Sequence, residues 1–551
     1  MPYLLKKRIK GRTYYYLAET QRVQGKPRIV WQKYLGTAER IQERLQGAEI
    51  SEIETFELGS VAAVESVERE IGFIDIVDRI VAKRDQGMSV GQYLYLVVLN
   101  RVIEPKSKAA LAGWLKGTAI GEYRDIDWLT LDSANFWDQM EKVEAKDVEA
   151  IGDEVAKRVV EVYDISLDCL LYDTTNFFTQ MSPETLSELA RYAHSKAGKH
   201  EFRHVGLSLL CNREDGIPLF HRTYPANIHD SRLMFELYAE MSALLRSLKK
   251  KDRMTLIFDK GFNSPENIAR IDADPGLSFI GALSPYHHPD LCRVPLEDYK
   301  PIGVTDEEEE PLQAYRTSLE LYGRERAVVV TYNPRTYRKK IHWLSRTIRK
   351  TKAKLQDLRR GLAEADGRTT LNSIKRKVDD ILAESHIATV FEVDVSFKKE
   401  YRMSIRTNPQ VLRDYRSRFG RDIIFTDHID WSTDEIVLAY RDRHKIETAF
   451  RQTKSAELIR WQPMYHWTDS KIRVHGLTCV MALLYLSLLS RKMHRSGLTM
   501  ALDRTMEVLR GIRRAVYIYP GSSKPIRKLC RLGSTEEELL KALGLKIEAV
   551  R

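Results

Sequence analysis

A chain of 551 residues with 43% hydrophobic and 30% charged side chains is globular and divided among several domains, because single cores rarely grow beyond about 300 residues. The net charge of +11 favours a polyanionic partner, although a modest cationic excess also serves solubility. Five cysteines (169, 211, 292, 479 and 530) form no Cys-x2-Cys pair, which argues against zinc ribbons and disulfide frameworks and fits a reducing cytoplasm.

The opening MPYLLKKRIK has no secretory apolar region. Residues 3–35 alternate as strands do, with Tyr14, Tyr15, Tyr16, Ile29, Val30 and Trp31 divided by a turn at Gly25 and Pro27. A small basic β domain over 1–58 is therefore expected, either a ribbon for a DNA groove or an edge guarded by charge. Over 59–162 apolar spacing of three and four predicts helices, read as a DNA-end-binding region or a plain helical scaffold. Residues 163–284 read as three strands, a helix, a strand, a helix and a strand. The strands fall near Leu167–Asp173, Val205–Cys211, Leu219–Tyr224, Leu256–Asp259 and Phe279–Ala282. An insertion is expected over 285–430, including an acidic run at 306–310 and a segment from Arg335 to Arg360 with eleven Lys or Arg against one acid, Asp357. Within it, Trp343 is expected in a core, with stacking on an unpaired base as the alternative. His287, His288 and Cys292 lack a fourth ligand at metal spacing and read as a loop. A closing part of the core is expected over 431–495 and a helical region over 496–551. The longest apolar run, about Leu477 to Leu489, is short of the ~20 residues a membrane span needs.

Three segments carry chemistry. SLDCLLYDTTNFF is an apolar run ending at Asp173, and MTLIFDKGF repeats that grammar with Asp259 before the turn residue Gly261. Taken singly, either acid could equally be a helix cap or turn former. YRDRHKIETAFRQTK places Tyr440, Arg443, Glu447 and Lys454 within roughly 60° of one another on a helix, with Arg451 at the edge of the stripe. The ordinary reading of such a stripe is a solvated face. An acid flanked by cations also suits a metal held beside a phosphodiester.

Asp173, Asp259 and Glu447 in this order, the last inside Tyr-x2-Arg-x3-Glu-x6-Lys, resemble the DDE transposases of bacterial and archaeal insertion sequences. The similarity is to the IS-four-like clan and closest to its IS-sixteen-thirty-four-like branch. It extends over most of the chain, including YLLKKRIKGRTYYYLAETQRVQGKPRIVWQKYLG, HSKAGKHEFRHVGLSLLCNREDGIPLFHRTYPANIHDS and IRVHGLTCVMALLYLSLL. The chain departs from the branch at Ala197 and Ala226, where an acid and a Gly are usual.

The resemblance implies an α+β multidomain protein with an RNase H-like core, a mixed sheet with flanking helices interrupted by the insertion. It implies two Mg²⁺ ions, replaceable by Mn²⁺, with Asp173 bridging and Asp259 and Glu447 each holding one. Tyr440, Arg443, Lys454 and Arg451 would bind DNA, and the loop with Lys196, Lys199 and Arg203 after Ser195 offers phosphate ligands near Asp173, with a plain basic hairpin as the alternative. The partners implied are transposon-end and target DNA, bound by a homodimer or higher oligomer at the nucleoid, with no membrane. The activity implied is DNA cleavage and strand transfer. An RNase H-like nuclease without strand transfer, or a DNA-binding regulator with an unused site, are the competing expectations.

Overall fold

The computed structural model describes residues 2–547 apart from 24, 47–49, 51, 83–86, 183, 194, 196–197, 249–252, 307–308, 363–369, 398–399, 465 and 520–524. The chain divides into two compact units. One comprises Met1–Asp78, Ala82–Gln139 and Leu488–Arg551, the other Arg79–Val81 and Met140–Ser487.

The first unit opens with an antiparallel sheet of β1 (Tyr3–Ile9), β2 (Arg12–Val23) and β3 (Lys26–Gly36). Lys10 and Gly11 make the first turn with positive φ (49° and 81°), which Gly adopts without strain. Then β4 (Glu52–Glu57) leads into helices that bury Val61, Val64, Tyr95 and Leu96. A buried carboxylate needs partners there. Glu65 has two: the Tyr95 hydroxyl donates to it at 2.7 Å, and the Arg124 guanidinium pairs with it at 2.9 Å.

The second unit is organised by a nine-stranded mixed sheet. Its strands are β5 (Cys169–Phe178), β6 (His204–Asn212), β7 (Pro218–Pro225), β8 (Met254–Phe258), β9 (Leu277–Leu283), β10 (Lys300–Thr305), β11 (Pro311–Leu321), β12 (Arg324–Tyr332) and β15 (Arg421–Thr426). Between β12 and β15 the chain forms a hairpin of β13 (Phe391–Phe397) and β14 (Tyr401–Thr407). The order across the sheet is β10-β11-β12-β15-β9-β8-β5-β6-β7. β5, β6 and β7 are an antiparallel meander, while β8 and β9 run parallel to β5. Strand β8 is buried at every residue, as parallel strands covered on both faces are. The segment expected as an insertion thus contributes four strands that extend this sheet. It also forms a core of its own around Leu344, Leu355, Ile374, Phe391 and Met403.

Two expectations change at the C-terminus. The helix Asp469–Arg495 has 27 residues and is long and apolar enough to cross a membrane, yet 94% of its most apolar stretch is buried inside the fold. Residues 496–551 are not all helical: β16 (Arg513–Ile518) pairs with both β17 (Ile526–Leu529) and β4. RRAVYI shows no alternation, with Arg514, Ala515 and Val516 all buried, and one of its two partners, β4, lies far away in the chain, out of reach of local pattern.

Candidate active site

Parallel pairing between β5 and β8 runs from Cys169↔Thr255 to Tyr172↔Phe258 and stops there. The next residues are Asp173 and Asp259, so register alone sets the two carboxylates side by side at the same level. Asp173 does not end its strand, as the apolar run suggests, because β5 continues to Phe178. What ends at Asp173 is the neighbour. Asp259 turns the chain into a short 3₁₀ segment, Lys260–Phe262. Each carboxylate accepts the following backbone N–H at 2.8 Å, from Thr174 and Lys260, which fixes its rotamer. Thr174 in turn donates through its hydroxyl to Asp230 at 2.8 Å. Asp230 starts the helix Asp230–Leu248 and is not among the residues singled out in the sequence.

The predicted single helical stripe is two helices. Thr433–Arg441 and His444–Lys454 are joined by a tight turn at Asp442 and Arg443, where the Arg443 N–H donates to the Tyr440 carbonyl at 3.2 Å. Short mid-helix 3₁₀ geometry of this kind needs an external cause. It has one: the Asp442 carboxylate accepts from Arg213 at 2.7 Å and pairs with Lys445 at 3.7 Å, and Lys445 also donates to the Arg213 and Glu214 carbonyls. The turn between β6 and β7 therefore clamps the joint between the helices.

Arg443 gathers the site. Its guanidinium lies 3.4 Å from Asp259 and 3.3 Å from Glu447, over the Tyr440 ring at 5.4 Å. Burial works against its charge, but Tyr440, Asp259, Asp173 and Glu447 outweigh it and hold its pKa above the ordinary value. Burial pushes the Tyr440 phenol far up, more than Arg443 offsets, so it stays protonated at any physiological pH. Lys454 donates to the Thr175 hydroxyl at 2.7 Å and sits 5.4 Å over the Phe177 ring. Residues 173, 175 and 177 alternate onto one face of β5, so Lys454 stands about 7 Å along the strand from Asp173. A cavity of about 210 Å³ opens beside Tyr440, Arg443 and Glu447, lined also by Asn333, Thr336 and Asp422.

The remaining expected DNA ligands lie elsewhere. Arg451 is exposed and donates to Thr448 at 2.7 Å on its own helix. Lys199 is exposed, and Arg203 donates to the Ala190 carbonyl at 3.2 Å and covers the Tyr192 ring at 4.9 Å. Their loop joins β6 at His204, opposite Phe178, so it is about 17 Å along β5 from Asp173. Lys196 lies outside the described residues. Trp343 is 45% exposed, not in a core.

No family model matches this chain, and no curated protein is similar to it. Among solved structures, a piggyBac transposase synaptic complex with hairpin DNA aligns over 82% of this chain and 78% of that chain, at 8% identity and a TM-score of 0.33. That likeness is too low to carry an assignment.

The three acids suit a hard cation: all are carboxylates, all partly exposed to water, and Mg²⁺ takes few protein ligands because it keeps water and binds phosphate oxygens. As they stand, no three His, Cys, Asp or Glu side chains among the described residues converge to hold an ion. Between Asp259 and Glu447 stands the Arg443 guanidinium. The donor chemistry suits such an ion, and Arg443 holds the place between two of the three donors.

Proposed function

We propose that this chain is a DDE transposase of the IS-four-like clan, in its IS-sixteen-thirty-four-like branch, that cuts and joins DNA at the ends of a mobile element. The observation that carries the reading is the β5–β8 register, which sets Asp173 beside Asp259, with Glu447 tied to Asp259 through Arg443. The strand order β7-β6-β5-β8-β9, three antiparallel strands followed by two parallel ones, supports an RNase H-like core around those acids.

Asp173, Asp259 and Glu447 would hold two Mg²⁺ ions, or Mn²⁺ in their place, which when bound neutralise charge on the attacking and leaving oxygens of a phosphodiester. The chain's own groups do the rest. Arg443, released from its carboxylates, takes a non-bridging phosphate oxygen, and the neutral Tyr440 ring beneath keeps its guanidinium aimed. Lys454 binds a neighbouring phosphate along the strand. In cleavage a water oxygen forms a bond to phosphorus as the bond to the 3′ oxygen breaks, leaving a 3′-hydroxyl and a 5′-phosphate. In joining, that hydroxyl attacks a target phosphodiester and the target's own 3′ oxygen leaves. Pairing two ends calls for a homodimer or larger assembly on DNA, at the nucleoid in the cytoplasm.

Purified chain with Mg²⁺ and a labelled duplex spanning the element's inverted repeat and flank should nick at the boundary and then yield joined strands. Asp173→Ala should lose both while still binding the duplex. Nicking that survives Asp173→Ala sinks the proposal, and nicking without joined products makes the chain a nuclease.

A further inference from the structure

The helix Pro334–Gly361 packs one side onto its own core, with Leu344, Thr351 and Leu355 buried. At 100° per residue those three lie within about 40° of one another. The opposite side carries Lys339, His342, Trp343, Arg346, Arg349 and Lys350 within about 120°, and all six are exposed. From Lys339 to Lys350 the helix rises about 17 Å, the length of about five base pairs. A solvated helix face normally mixes both signs of charge at i and i+4 spacing. This one has no acid between Arg335 and Gln356. Among the described residues, Lys339, Arg346 and Arg349 form no ion pair, and the 45% exposed Trp343 ring lies among them.

The position of this face gives it a use. Asn333 caps the helix and Thr336 lies in its first turn, and both line the cavity shared with Tyr440, Arg443 and Glu447. The N-terminal end of the helix therefore borders the candidate active site, and the cationic face begins about one turn farther along and leads away from it. We infer that the outer face of Pro334–Gly361 is a track for the phosphate backbone of duplex DNA leaving that site. This rests on the proposed action on DNA and adds where the flanking duplex runs. Phosphate contact is independent of sequence, so the track supplies affinity and direction, not choice of site.

The test is the triple variant Lys339→Gln, Arg346→Gln and Arg349→Gln in the full chain, with binding measured across a salt series. Two duplexes are used, one containing the inverted repeat and one unrelated. Affinity should fall on both duplexes by about the same factor, on the order of tenfold or more. The slope of log affinity against log salt should shrink by about 0.9 for each phosphate that the variant no longer neutralises. A second variant, Arg346→Lys with Arg349→Lys, keeps the charges and should keep the slope. An unchanged slope and affinity in the triple variant, at wild-type melting temperature, overturns the track even if wild type nicks DNA. Weakened binding to an acidic protein with unchanged DNA binding overturns it as well. A reduced slope in a protein that never nicks would uphold the track and overturn the transposase reading instead.

Discussion

Asp173 and Asp259 are held by the sheet, Glu447 by a joint between two helices. The aspartates take their spacing from parallel strand register and their rotamers from the next backbone N–H, bonds that persist as long as the sheet does. The side chain of Glu447 is 55% exposed, and it pairs with the long, flexible side chain of Arg443. Half of the site is therefore preorganised and half adjustable. The long side chains of Glu447 and Arg443 have more rotamers to move through than a short strand carboxylate held by the next backbone N–H. The arrangement suits a site that must exchange an internal guanidinium for cations and substrate.

The largest effects should expose this asymmetry. Losing a carboxylate that positions a divalent ion removes several kcal/mol of transition-state stabilisation, on the order of 10³-fold in rate. In the rigid half, lengthening should be as harmful as deletion, so Asp173→Glu should lose on the order of 10³-fold in nicking rate, like Asp173→Ala. In the adjustable half, a small shift of the helix can bring the shorter Glu447→Asp side chain back into reach, and the loss should be nearer tenfold. Single-turnover nicking rates with saturating Mg²⁺ decide it. Equal losses, or the reverse order, would break the comparison.

The sheet half has an acid-sensitive support. Asp173 pairs with Leu209 and Leu209 with His221, so His221 lies in the same row across the sheet. Burial, and secondly the charge of Arg222, lower its pKa from 6.5 to about 3. Its ring lies where a side chain on Gly152 would stand, so the space is filled. The folded state keeps this imidazole neutral, while the unfolded chain takes a proton below about pH 6.5. Stability is thus fully present above that pH and is lost as pH falls toward 3, by on the order of a few kcal/mol. Melting temperature measured between pH 7 and 4 should fall more steeply in wild type than in His221→Gln. Parallel slopes would remove His221 from the account.

Local pattern reached the strands and missed the joints. β6, β7, β8 and β9 begin and end within three residues of the expected runs, because buried strands in this sheet are short and mostly apolar. Asp173 looked terminal because the residues after it, Thr174 and Thr175, are polar. They are buried all the same, with Thr174 bonded to Asp230 and Thr175 to Lys454. The break at Asp442 has no Gly or Pro to announce it, since its cause is Arg213, 229 residues away in the chain. The strand near Arg326–Thr331 is legible as β12, but that four strands from 285–430 join the core sheet, and that β16 pairs with β4, is hidden for the same reason. Their partners are set by packing, and only the chemistry-bearing residues themselves are written locally.

That clamp gives the smallest and most discriminating expectation. Asp442 touches none of the proposed reacting groups, so it acts as a positioning residue through Arg443 and Glu447. Its Arg213 pair is about a third exposed on each side, which leaves the pair itself worth little in stability. Asp442→Asn keeps the side-chain shape but gives up the charge-assisted bonds to Arg213 and Lys445. The joint between the helices should then relax toward a continuous helix and rotate Glu447 relative to β5. Nicking at saturating duplex should fall roughly three- to tenfold, with the half-saturating DNA concentration and the melting temperature nearly unchanged. Arg213→Ala should reproduce that split, and Arg213→Lys should restore part of the rate because an ammonium can still reach the carboxylate. If instead binding weakens with the maximal rate intact, the turn serves DNA contact, and the adjustable half of the site is not aimed from β6 and β7.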